Sequence, residues 1–104
     1  MDEYDVRPTQ SAKADMVEIH QYISANLSSP STADKMIDTI ELSLAKLSFL
    51  PQGHPKVRDD RLAGKGYRWI GIKNYVAFFT IDEQEKAVNV ERILYGRRDW
   101  QRIL

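Results

Sequence analysis

The stretch Arg92-Ile93-Leu94-Tyr95-Gly96-Arg97-Arg98-Asp99-Trp100 most limits what this chain can fold into. Apolar residues suited to a buried strand run straight into a glycine, two adjacent arginines, an acid and a tryptophan. Three guanidinium groups within seven positions are more than a core-filling strand needs. Arginine offers a planar fork of donors that reads carboxylates, phosphates and aromatic faces. Gly96 is expected to turn the chain sharply by admitting positive φ, so that Arg97 and Arg98 emerge together at the end of a sheet. The plainer alternative is that these arginines are solvated and cap a C-terminal helical turn, contributing little, as exposed charges do.

The rest of the chain supplies the partners for that strand. Residues 3–9 alternate apolar and polar side chains and read as a short strand, which Pro8 confines to a sheet edge or to the strand's end. Thr9 or Ser11 can cap the next segment, where Ala12, Met16, Ile19, Ile23 and Leu27 recur at three- and four-residue steps. The Ser28-Ser29-Pro30-Ser31 stretch breaks this helix, and Pro30 suits the first position of a second one. There Ala33, Met36, Ile37, Ile40, Leu44 and Leu47 form another stripe, ended by Pro51. So short a break implies an antiparallel helical hairpin. Residues 52–65 are polar and charge-rich and read as a loop beside the sheet. Three strand-like runs follow: Tyr67 to Ile72, Tyr75 to Ile81 and Val88 to Tyr95, with turn signals at Lys73-Asn74 and at residues 82–86. The expected fold is α+β: an N-terminal strand, a two-helix hairpin on one face of a sheet, a three-stranded antiparallel meander and a short C-terminal helix. The opposite face of the sheet is expected to be freer to bind.

At 104 residues, the expectation is one domain over positions 1–104, large enough for a core without staples. The absence of cysteine excludes a disulfide framework, a zinc–thiolate site and a thiol nucleophile. No apolar run approaches the roughly 18 residues that span a bilayer, and the N-terminus carries acids where a signal peptide carries lysines. These features imply a soluble, cytoplasmic protein with no membrane partner. Formal charge is zero but unevenly spread. Up to Gln52 there are eight acids and four bases, so with 15 of each overall the remainder holds seven acids and eleven bases. An acidic half precedes a basic half, which points to a basic functional face. A chain that neutralised many phosphates would be basic overall. Nucleic acid is therefore a permitted partner and not a required one.

The order of elements and several strings resemble the RelE/ParE superfamily, the toxins of bacterial type II toxin–antitoxin systems. The strings are Thr9-x-x-Ala12-x-x-Asp15, Leu47 to Gly53, Gly66-Tyr67-Arg68, Asn74 to Phe79, and the arginine-rich tail. The resemblance covers nearly the whole chain, through the order and spacing of strings that are each weak alone. It implies a cognate antitoxin protein as partner, and two kinds of target. RelE-like members cut mRNA on the ribosome with a set of lysines and arginines on the middle strands and a tyrosine in the C-terminal helix. Of that set, the second-strand lysine pair falls on Arg68 and Ile70, the third-strand arginine on Val76, the tail arginine on Arg98 and the tyrosine on Leu104. A reduced ribonuclease site would be Arg68, Tyr95 and Arg98. The ParE branch resembles the chain more closely, through Phe78-Phe79 closing an apolar third strand and a tail of the form R-x-L-H/Y-x-R-x-D. Its members studied stabilise the cleaved complex of DNA gyrase, so the resemblance implies a binder and not a catalyst.

On that reading the target-binding residues are Arg92, Tyr95, Arg97, Arg98 and Trp100, with a packing role for Trp100 as the alternative. Tyr95 could act as acid or base near the arginines if its pKa fell, or its ring could pack under the tail helix. His20, beside the first helical stripe, reads as packed or solvated, and His54 as a loop residue. The antitoxin is expected across the helical hairpin, on Met16, Ile19, Ile23, Met36 and Ile40. No metal-ligand spacing is present, and no cofactor or metal is expected.

Overall fold

The structure, a computed structural model, describes residues 3–104. Strand β1 (Asp5–Pro8) leads into helix α1 (Gln10–Leu27), and helix α2 (Pro30–Ala45) follows after a two-residue break. Two 3-10 turns (Lys46–Ser48 and Pro51–Gly53) and a short helix α3 (Asp60–Gly64) lead to β2 (Arg68–Ile72), β3 (Tyr75–Asp82), β4 (Ala87–Tyr95) and a last helical turn α4 (Trp100–Ile103). The expected α+β order is therefore present, with strand ends within one residue of the meander's expected limits.

Local chemistry explains the breaks. The Thr9 hydroxyl accepts from the Ala12 N–H and caps α1, so Thr9 and not Ser11 is the cap. Ser28 ends α1 in the left-handed region at φ 47°. Ser29 then caps α2, and Pro30 occupies its first turn, where its missing N–H costs nothing. The β2–β3 connection is the two residues Lys73-Asn74, with Lys73 at φ 56° closing the Ile72–Tyr75 pair.

The sheet order is β1-β4-β3-β2, with β1 parallel to β4 and the other pairs antiparallel. Pro8 thus lies both on an edge strand and at its end. Helices α1 and α2 cover one face, where Ile19, Ile23, Ile40 and Leu44 meet Ala77, Phe79, Val88, Val90 and Ile93. Full burial of each large aliphatic or aromatic side chain contributes about 1.5–3 kcal/mol. Ala12 and Ala33 are wholly buried, and their small side chains let the helices approach. A bulge places Phe78 opposite Arg92 but Phe79 opposite Val90, leaving Glu91 as the extra residue. Because of that insertion, Ile93 joins Val88 and Val90 on the helical face, which strict alternation would deny it.

The other face is partly covered. Val57 and Leu62, from the segment read as a polar loop, form a second core with Phe78 and Leu94, and Tyr67, Val76, Trp100, Ile103 and Leu104 pack against it. Leu62 is held there because the Asp59 carboxylate accepts its N–H and caps α3. Arg61 donates to the Gln101 carbonyl and ties α3 to the C-terminal turn. A single leucine among charges carried too little periodicity to reveal this helix.

At the far end of the sheet the Tyr4 hydroxyl donates to Glu83 at 2.6 Å, and the Gln52 amide also reaches that carboxylate. The Tyr4 hydroxyl first, then Gln52, holds the Glu83 carboxyl below its ordinary value. Its stabilising effect is present above the ordinary carboxylate pKa of about 4.3 and is lost as pH falls through the lowered folded value. The melting temperature of the native chain should fall more steeply in that acid range than that of Glu83→Gln. Parallel acid profiles for the two would remove this role.

Candidate functional site

Strand β1 ends where the chain needs it least to. Its pairing with β4 stops at Pro8 opposite Val90, although β4 continues to Tyr95. The outer edge of β4 would then expose unpaired backbone groups. Thr9 and Asp15 take over that edge. The Thr9 hydroxyl donates to the Glu91 carbonyl, and Asp15 accepts the Ile93 N–H at 2.9 Å. Asp15 is only 4% exposed, and its two oxygens also receive Nε and Nη2 of Arg92, both at 2.8 Å. The bidentate bond to Asp15 raises the Arg92 pKa further. Arg92, one of the residues expected to face a target, has its guanidinium paired with Asp15 within the fold.

Arg68 is likewise engaged. It donates to the carbonyls of His54 at 2.7 Å and Gln52 at 3.2 Å, fastening residues 52–54 to the start of β2. The His54 ring packs edge-on against Phe79. His20 bonds Asp34 across the hairpin at 2.8 Å. Arg68 lies opposite Phe79, whereas Tyr95 lies opposite Tyr75 on the other side of β3. Four residues along the strands and two strand spacings across put their Cα atoms roughly 16 Å apart. The three residues of the reduced ribonuclease set are thus not brought together; only Tyr95 and Arg98 are.

Tyr95 does not pack under the tail helix. Bulge and pleat turn it to the helical side, where it is 42% exposed and meets the Tyr75 ring edge-on at 5.9 Å. Tyr95, Tyr75, Arg98 and Tyr22 of α1 border a cleft of about 580 Å³ floored by Ile19 and Ile93. Burial, with smaller effects of the Tyr22 and Tyr95 hydroxyls, pushes the Tyr75 pKa up. Tyr75 therefore stays protonated at neutral pH, the opposite of what a tyrosine base requires. Tyr22 and Tyr75 carried no sequence signal for this cleft, because Tyr22 lies off the apolar stripe and Tyr75 reads as core.

The tail itself leaves the sheet as expected, but Gly96 does so by another route. Among glycines with positive φ the chain has Gly66 and not Gly96. Gly96 donates its N–H to the Asn74 carbonyl at 2.8 Å, and a Cβ there would lie 3.3 Å from that oxygen. Close approach, not a left-handed turn, is what favours glycine here. Arg97 and Arg98 follow as exposed side chains. Trp100 is half-buried, its ring 5.5 Å from that of Phe78, and packs the tail onto the second core.

The hairpin stripe faces inward. Ile19, Ile23 and Ile40 are buried in the main core, and Met16 and Met36 pack against it. The same periodicity that makes a stripe turns it toward the sheet, which leaves Met16 and Met36 as the partly exposed members of the expected antitoxin set. The exposed large hydrophobics of the two helices are Val17, Tyr22 and Leu27 on α1 and Leu42 on α2. Among the described residues no helix is long and apolar enough to cross a membrane, and no group of acids and histidines could hold a metal ion.

Comparison with known proteins agrees with this architecture. The fold resembles the chromosomal ParDE toxin–antitoxin system of P. aeruginosa, with a TM-score of 0.74 and 18% identity over 89% of this chain and 96% of that one. It also resembles the RelBE2 toxin–antitoxin complex of Mycobacterium tuberculosis, with a TM-score of 0.62 and 21% identity over 91% and 93% of the two chains. No curated protein matches the sequence significantly. The family model described as "ParE toxin of type II toxin-antitoxin system, parDE" matches residues 6–100, from β1 to Trp100. With that match over nearly its whole length, the chain belongs to the ParE toxin family of type II toxin–antitoxin systems.

Proposed function

We propose that the protein is a toxin that arrests growth by binding DNA gyrase through its arginine tail, without chemistry of its own, and that a cognate antitoxin neutralises it. One observation carries the reading of the tail as the target surface. Arg92 and Arg68 are committed to intramolecular bonds, whereas Arg97 and Arg98 project from the sheet end exposed. Exposed arginines beside aromatic residues are the mixture enriched at binding hot spots. The family resemblance supplies gyrase as the target class. The antitoxin docks on the outer surface of the helices, where Val17, Leu27 and Leu42 offer apolar contact outside the core.

Purified toxin should inhibit gyrase supercoiling and accumulate cleaved plasmid, and its antitoxin should restore the reaction. The same toxin should leave mRNA intact on translating ribosomes. Ribosome-dependent mRNA cleavage with unaffected supercoiling would replace this reading with the RelE-like one.

A further inference from the structure

We infer that the cleft between α1 and the end of β4 is a pocket for an unpaired nucleobase, with the adjoining phosphates on Arg97 and Arg98. The inference rests on the reading of the tail as the target-facing surface and gives that surface a ligand class.

Tyr22 is 66% exposed and Tyr95 is 42% exposed, far more than either ring's packing requires. With Tyr75 they put three aromatic rings around one opening above an aliphatic floor. The Tyr75 and Tyr95 planes stand 77° apart, so a flat ring that lies on one meets the edge of the other. The volume, about 580 Å³, is in the range of small-ligand clefts. Asn74 lies at the rim, and its side-chain amide is a donor and acceptor pair suited to the edge of a base. Arg98 lines the mouth, and Arg97 precedes it in the exposed turn closed by the Arg98 N–H on the Tyr95 carbonyl. Stacking platforms beside cations are how proteins take single-stranded nucleic acid without reading its sequence.

Two acids also face the cleft and bear on the choice of ligand. Asp15 is neutralised by Arg92, which holds both its oxygens. Glu18 stands on the α1 wall, across from the tail, so phosphates are directed to the arginine side and away from the helix. A duplex cannot use such a site, since its bases are stacked.

The test uses purified toxin and a fluorescein-labelled single-stranded DNA of about 12 nucleotides, followed by anisotropy. The single strand should bind and the duplex of the same sequence should bind much more weakly. Tyr22→Ala and Tyr95→Ala should each weaken single-strand binding roughly ten-fold or more, as expected for loss of a stacking platform, while Tyr95→Phe keeps it. Two phosphate contacts predict a slope of log K against log salt near −1.4, falling toward zero in the Arg97→Ala/Arg98→Ala double variant. Equal affinity for duplex, or binding indifferent to both tyrosine substitutions, would overturn the inference. So would tyrosine variants that keep oligonucleotide binding but lose antitoxin binding, which would make the cleft a peptide site. Gyrase is absent from this assay. A toxin that fails to inhibit gyrase yet binds oligonucleotide through the tyrosines loses the proposed target and keeps the pocket.

Discussion

Replacing Arg97 and Arg98 together with alanine should abolish most toxicity while leaving the fold and antitoxin binding unchanged. Both side chains are exposed, and exposed substitutions of this kind shift stability by less than about 0.5 kcal/mol. Loss of a hot spot costs about 2 kcal/mol or more of target affinity, roughly a thirty-fold rise in the toxin concentration needed. Growth after induction, read beside melting temperature and co-elution with antitoxin, separates the two effects. Arg68→Ala is the informative contrast. It removes the bonds that fasten His54 and Gln52, so it should lower stability modestly while folded toxin remains toxic. A double variant that still arrests cells as the parent does would show that the tail does not carry the function.

Asp15→Ala should be the most destabilising single substitution at this end of the molecule. It leaves the Arg92 guanidinium without its partner and the Ile93 N–H without an acceptor. Breaking a buried ion pair from one side costs about 3–5 kcal/mol. Arg92 keeps a side-chain exposure of 26%, so water recovers part of that and the lower end applies. A loss of about 3 kcal/mol is expected, enough to lower the melting temperature by more than about 10 °C in a domain of this size. Arg92→Lys should also weaken the fold, because an ammonium cannot satisfy both carboxylate oxygens in the planar geometry of the guanidinium. If Asp15→Ala melts within a degree or two of the parent, β4 is held by something other than this latch.

Much of the architecture was legible because it is local. The stripes at Ala12 to Leu27 and Ala33 to Leu47, the serine–proline break and the runs before and after Lys73-Asn74 each carry their own period or stop signal. So does the resemblance to the toxin superfamily, whose strings sit on those elements. Helix α3 was hidden because Leu62 alone anchors it, and one apolar residue has no period. Ile19, Ile23 and Ile40, read as antitoxin contacts and found buried, show the limit of a stripe: it names the face that packs and says nothing of which face a partner meets.

The candidate site divides in the same way. That Arg97 and Arg98 leave a sheet end, and that glycine precedes them, follows from the residues themselves. Which arginines are available was decided only in three dimensions, since Asp15 lies 77 positions from Arg92 and meets it only because β1 is too short to cover β4. Gly96 belongs to the same class, being favoured by the close approach of the Asn74 carbonyl and not by its own φ. The tyrosine cleft needed the bulge at Glu91, which turns Tyr95 toward Tyr22 and away from the tail helix. Sequence spacing therefore determined the elements and their order, because helix and strand periods are properties of neighbours in the chain. The division of labour among the arginines and tyrosines came from tertiary structure, because it depends on which unpaired backbone groups and charges the packed elements bring within about 3 Å of one another.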